Sequence, residues 1–217
     1  MPHGELKWEM STRMDAYDFG YPRECHNCIG CSKAVHLRVE PYLQESGSTR
    51  IMLVGQDPTI ARNPERVTHV LMLNEKNGQL RRWLADLLGE ENFNSSTLYA
   101  TNVVKCSFDS PPGTLRVLKP YFDSCKHYLI DEIIRFQPQV LLTFGESAHR
   151  LLIRILDNDK EFREPMKEAF TGRFQEGRLR GVRFRYSPCL HIKTFRVADT
   201  YGDKAKRFRV SLHDNLT

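Results

Sequence analysis

The sequence predicts an α/β fold: a single domain with a mostly parallel central β-sheet and helices on both faces. Two observations predict it. Short β-rich apolar runs, several closed by glycine, alternate along the chain with segments of helical periodicity. Strands separated by helices are joined by crossovers, which make neighbouring strands parallel and bury the sheet on both sides. Length agrees, since 217 residues fit one domain or one with a small appendage.

The elements follow in order. Residues 1–49 read as an irregular N-terminal segment that wraps the domain and carries the first cysteines. The α/β domain is expected over 50–217. RIMLVG, 50–55, is the first strand, ending in glycine. VTHVLML, 67–73, fits a short strand or an extended pocket wall. In 77–89, Leu80, Trp83, Leu84, Leu87 and Leu88 recur at helical spacing, and Gly89 supplies a stop. TLYATNVV, 97–104, is a second strand. A helix is expected over 118–137, with Pro120 near its start. QVLLTFG, 139–145, is a third strand, 146–156 the next helix, and LRGVRFRYS, 179–187, a fourth strand.

Composition narrows the class. Hydrophobic residues make up 40% and charged residues 27%, enough for a real core without a disulfide framework. No apolar run reaches the roughly 18 residues of a spanning helix, so no membrane association is expected. MPHGELKWEM lacks the apolar stretch of a signal peptide, so the chain is expected in the cytoplasm. The net charge of +5 permits a polyanion partner without demanding one. From 173 to 209, Arg and Lys interleave with Phe and Tyr. That pattern suits a nucleic-acid surface, or equally a solvated strand with its aromatics turned inward.

The six cysteines of a cytosolic chain are thiols or metal ligands sooner than disulfides. Cys25, Cys28 and Cys31 form CHNCIGC; Cys106 ends TNVVKC; Cys125 and Cys189 stand alone. A four-thiolate site would select zinc or an iron–sulfur cluster. Alternatively, Cys106 and Cys125 are small buried residues.

Open parallel sheets bind ligands beyond the carboxyl ends of their strands. That rule selects GQDPT (55–59), Asn102 with Cys106, GES (145–147) and SPCLHIKTF (187–195). A carboxylate, a carboxamide and an imidazole would converge on one rim.

These segments resemble the uracil-DNA glycosylase superfamily. Its family-4, iron–sulfur branch has a G-E-A-P-G turn after the first strand, a T-N-V-V-K-C segment, an L-G-x-x-A-x-x-L-L segment and a late H-P-S or H-P-A motif. This chain has VGQDPT, TNVVKC (101–106), FGESAHRLL (144–152) and LHIK (190–193). Its first turn is closer to the family-1 G-Q-D-P-Y-H. The resemblance spans about 25–195 and implies a glycosylase-like α/β/α fold and a DNA partner.

Residue by residue, the resemblance implies these roles. Asp57 favours the oxocarbenium-like sugar and orients water; its other reading is an Asx-turn before Pro58. His191 donates to the departing base, although Ile192 and Lys193 replace the motif's Pro and Ser; otherwise it is a loop histidine. Asn102 reads the pyrimidine edge, or is a strand-end turn residue. Gln56, Thr59 and Leu73 line the base pocket, with His69, Leu71 and Met72 as other candidates from the same segment. Lys193 and Arg196 meet phosphates, while Phe195 or Ile192 wedges into the stack. Cys25, Cys28, Cys106 and Cys125 hold a structural 4Fe–4S cluster, with zinc as the alternative and Cys31 as a spare ligand.

Two departures concern substrate. Thr59 stands where family 1 has a tyrosine that blocks bulk at the pyrimidine C5 position. The phenylalanine that stacks on uracil has no counterpart. Both imply a wider pocket, suited to a C5-modified pyrimidine such as hydroxymethylated or glucosylated cytosine in phage DNA, and hence to antiviral defence. The competing classes are a non-catalytic DNA-binding module that keeps the fold and, less favoured, a redox sensor using CHNCIGC. A monomer is expected, because gripping one nucleotide requires no symmetry.

Overall fold

The computed structural model describes residues 14–23, 34–35, 39–59, 67–108, 110, 112–157, 166–170, 172–189 and 198–216. Its strands are β1 (Ala34–Val35), β2 (Tyr42–Gln44), β3 (Thr49–Gly55), β4 (Ser96–Asn102), β5 (Ser107–Phe108), β6 (Val140–Phe144), β7 (Gln175–Leu179) and β8 (Val182–Cys189). Its helices are α1 (Gln79–Leu88), α2 (Glu90–Ser95), α3 (Leu115–Phe136), α4 (Glu146–Ile153), α5 (Met166–Ala169) and α6 (Ala198–Leu216).

The main sheet has the order β2-β4-β3-β6-β8-β7. Its four inner strands, β4, β3, β6 and β8, are parallel, and β2 and β7 close the edges antiparallel. The fold class is therefore the expected one, a mostly parallel sheet between helical layers. β4 and β6 are buried along their whole lengths, as parallel strands covered on both faces must be.

Period-2 alternation sorts the core into two layers. Ile51, Leu53, Leu98, Ala100, Leu142 and Phe144 join the side chains of α1 and of Phe208 and Leu212 in α6. Met52, Val54, Tyr99 and Leu141 join those of α3 and α4 on the other face. Residues before β3 contribute too: Phe19 and Tyr21 are buried, and β2 pairs with β4. Among the described residues, no helix is long and apolar enough to cross a membrane.

Three elements differ from expectation. α3 starts at Leu115, because the Thr114 hydroxyl caps it by accepting from Val117 N–H. Residues 179–187 are not one strand: Arg180 and Gly181 both have positive φ, 45° and 89°, and form the tight turn of the β7–β8 hairpin. Residues 70–72 form a 3-10 turn, not a strand. The basic and aromatic residues of β8 separate by face, with Phe184 and Tyr186 buried and Arg183 and Arg185 exposed. There the pattern is that of a solvated strand with inward rings.

Candidate active site

The carboxyl ends of the inner strands align into one rim. Gly55 of β3 is in register with Asn102 of β4, Phe144 of β6 with Cys189 of β8, and Gly145 N–H donates to the Cys189 carbonyl at 3.0 Å. Beyond β3 and β4 the backbones stay joined: Val103 N–H donates to Gly55 O at 2.9 Å and Val104 N–H to Gln56 O at 3.0 Å. The GQDPT turn and the TNVVKC segment are thus one rigid unit.

Asn102 is almost fully buried, with 1% exposure. Its carboxamide oxygen lies against Gly55 so closely that a Cβ there would overlap it, and that Cβ would also meet Leu71 Cδ2 at 3.1 Å. Only glycine permits this approach. Among the described residues the Asn102 Nδ2 has no hydrogen-bond partner. Buried polar groups are usually hydrogen-bonded, which makes this donor, beside a glycine at a strand end, a candidate for binding a ligand.

Asp57, two residues after Gly55, is half-buried. Its Oδ1 accepts from Gln56 Nε2 at 2.8 Å, and its Oδ2 accepts from Thr59 N–H at 3.0 Å. The second bond is the Asx-turn geometry. The carboxylate is oriented by both contacts and keeps lone pairs for another donor, because an ionised carboxylate offers about four acceptor sites. The Thr59 hydroxyl accepts from Phe108 N–H at 2.7 Å, so it staples the turn to β5.

Leu73 does not line the rim: it is completely buried in the apolar core, and its carbonyl accepts from Arg81 Nη1 at 3.0 Å. Leu71 takes that place. It and Met72 sit in the left-handed region, φ 57° and 51°, which costs a non-glycine residue about 1–2 kcal/mol. Pairing of Glu40 with Thr68 and Val70 pins the segment before them. A regular alternation would turn Leu71 and Leu73 to the same face, and the left-handed backbone at 71 and 72 separates them.

Beneath the rim lies a buried polar network. Lys105 Nζ donates to Glu132 Oε2 at 2.6 Å, Thr101 Oγ1 at 2.6 Å and Asn102 O at 2.7 Å. Glu132 Oε1 accepts from the Tyr99 hydroxyl at 2.9 Å and the Thr101 hydroxyl at 2.8 Å. Burial raises the Glu132 carboxyl and lowers the Lys105 ammonium, and each opposes the other's shift. Sequence reasoning missed this pair. The signal was present: Glu132 falls on the buried stripe of α3 with Cys125, Leu129 and Phe136.

The same helix brings Cys125 to Cys106. Their thiols are hydrogen-bonded, and that contact, followed by the Lys105 backbone and charge, pushes Cys125 down to about 6 against the opposing effect of burial. A depressed thiol beside a second thiol suits metal ligation. Tyr21 packs under Lys105, with Nζ 5.1 Å from its ring centroid, and Ala34 and Val35 pair with Phe108 and Ser107 just past Cys106. Cys25, Cys28 and Cys31 lie outside the described residues, in sequence between Tyr21 and Ala34. Cys189 differs: it is fully buried, and burial raises its thiol far above the usual range.

His149 of the GESAH segment is buried, its Nδ1 2.8 Å from Thr143 Oγ1, and its imidazole is pushed down to about 4 by burial and then by Arg150. His191, Lys193, Phe195 and Arg196 lie outside the described residues. A cavity of about 550 Å³ lined by Arg178, Arg183, Arg185, Glu176 and Asp157 lies at the other end of the sheet, beside Gln139, which precedes β6.

Fold and rim together define an α/β protein that presents a buried carboxamide and an oriented carboxylate at the ends of parallel strands. The family model of the Uracil DNA glycosylase superfamily matches residues 42–206, so the chain belongs to that superfamily. Membership carries a uracil-DNA-glycosylase type of activity on DNA. No curated protein matches the sequence.

Proposed function

We propose that the protein is a monofunctional DNA glycosylase that extrudes a pyrimidine nucleotide, hydrolyses its N-glycosidic bond and leaves an abasic site. The observation that carries this reading is the Asn102 carboxamide, buried against Gly55 with its Nδ2 unsatisfied among the described residues, while Asp57 stands two residues past that glycine in the turn leaving β3. A base in a duplex is out of reach, so it must be flipped into a pocket and read along its pairing edge. Asn102 supplies that edge with a donor and an acceptor.

Bond cleavage builds positive charge on the sugar and negative charge on the leaving base. Asp57, held by Gln56 Nε2 and Thr59 N–H, stabilises the cation and orients the attacking water. His191 donates to the base as it departs. Lys193 and Arg196 take phosphates, and Phe195 fills the gap in the stack. No lysine is assigned to the catalytic turn, so hydrolysis proceeds without a Schiff base.

Cys106 and Cys125 with Cys25 and Cys28 would hold a 4Fe–4S cluster, or zinc; the paired thiols of Cys106 and Cys125 support this assignment. The group, when bound, ties the N-terminal segment to the end of β4 and performs no chemistry on the base. The short Thr59 and the aliphatic Leu71 support a pocket wide enough for a C5-modified pyrimidine, including hydroxymethylated or glucosylated cytosine of phage DNA. That substrate gives the enzyme a role in antiviral defence.

One observation favours a second reading, a DNA-binding module without catalysis: both Asp57 oxygens are already engaged in the turn. Base release from uracil-containing and glucosylated DNA, with Asp57→Asn beside the unaltered protein, separates the two. Release abolished in the variant with DNA binding retained supports the enzyme. DNA binding without base release by the unaltered protein supports the module.

A further inference from the structure

The Lys105–Glu132 pair has no part in the chemistry above, yet it is buried directly under the residue that would read the base. Lys105 and Glu132 side chains are 2% and 0% exposed. Removing two charges from water is costly, and such a pair is often no more stabilising than apolar residues of equal volume. Its geometry suggests another use. The peptide unit joining Asn102 to Val103 is held at both ends: Lys105 Nζ donates to its carbonyl at 2.7 Å, and its N–H donates to Gly55 O at 2.9 Å. Fixing that plane fixes the backbone torsion at Asn102, and with it the direction of its Cα–Cβ bond.

The ammonium is itself held from three sides. Glu132 supplies the countercharge, and Thr101 accepts from Lys105 while donating to Glu132. Tyr99 fixes the carboxylate from below. Every group from Glu132 of α3 to Asn102 O is therefore held by at least one hydrogen bond. Fully satisfied polar networks of this kind rigidify what they touch.

We propose that Lys105, locked by Glu132, is a positioning residue that sets the angle of the Asn102 carboxamide for base reading. This rests on the glycosylase reading for its consequence, though not for its geometry. Lys105 touches no base. It acts through the Asn102 carbonyl, as supporting groups act through the residues they orient.

The test uses the full chain with Lys105→Met/Glu132→Gln, which removes both charges together and avoids a lone buried ion. Two readouts are taken. The first is the side-chain amide resonance of Asn102 in ¹⁵N-asparagine-labelled protein, identified by its loss in Asn102→Ala. The second is base release at saturating and limiting DNA.

The resonance is expected to move or broaden while the thermal transition is kept, and kcat is expected to fall about 100-fold with little change in KM, the size of effect a misplaced reading group produces. Should the double variant fail to fold, Thr101→Val, which breaks the bridge between Lys105 and Glu132, is expected to shift the same resonance by less. An Asn102 resonance at its original position in a folded variant overturns the proposal. If the unaltered protein releases no base from any DNA, the proposed function falls, and the resonance still decides the positioning.

Discussion

Gly55 and Asn102 face each other in register at the ends of two parallel strands, and the Asn102 carboxamide occupies the space a side chain at position 55 would need. The carboxamide proposed to read the base and the turn carrying Asp57 are therefore fitted to one another at the backbone level. Gly55→Ala is expected to displace the carboxamide. It should destabilise the fold by about 1–3 kcal/mol, as overpacking does. Base release should fall about 100-fold, as it does when a reacting partner shifts by an ångström. Urea denaturation and single-turnover base release check both. Wild-type release from the alanine variant would contradict the fitted arrangement.

Asp57 carries the chemical step in this account. Asp57→Asn keeps the turn's acceptor through its Oδ1 and loses the charge. Single-turnover release is expected to drop by about 10² or more, with the affinity for DNA little changed. A parallel loss of DNA binding would instead mark Asp57 as a turn-forming residue only.

Buried His149 makes stability depend on pH. Its folded pKa is pushed down to about 4, while an unfolded histidine titrates near 6.5. Between those values the unfolded chain takes up a proton that the folded chain refuses. Stability from this group is thus complete above pH about 6.5 and is lost as pH falls toward 4, by at most about 3 kcal/mol. His149→Gln is expected to flatten that part of the curve in urea titrations from pH 7 to 4.5. An unchanged slope would show that other groups set it.

The contact between Cys106 and Cys125 predicts metal content. Cys106→Ser and Cys125→Ser are each expected to lose most of the bound iron, or zinc, and any visible absorption after anaerobic purification. Cys189→Ser is expected to retain both, because that thiol is enclosed in the core with a raised pKa. Metal analysis that finds equal content in all three variants would dismiss the assignment.

Much of the fold was legible because parallel strands buried on both faces are close to continuously apolar, as residues 51–54 and 140–142 are. The rim followed from where those strands end. What was not legible has local causes. The β7–β8 turn is made by Arg180 and Gly181 inside a run whose residues all suit a strand, and a lone glycine there reads as part of it. Of the candidates in 67–73, Leu71 lies against Gly55 while Leu73 is in the core, because consecutive positive-φ residues break the alternation that would put both on one face. Glu132 stands visibly on the apolar stripe of α3, but a carboxylate there does not say which cation it meets. Lys105 lies in the connection between β4 and β5, and only the fold brings it to its ion pair with Glu132.

The central claim is that Asn102 reads an extruded pyrimidine at the rim. Mass-spectrometric measurement of free bases released from a panel of DNAs bearing uracil, 5-hydroxymethylcytosine and glucosylated cytosine, by the unaltered protein and by Asn102→Ala, tests it most directly. Release of at least one of these pyrimidines is expected, with a loss of about 100-fold or more in the variant and DNA binding kept. No base released from any DNA in the panel, or release undiminished by Asn102→Ala, would contradict it.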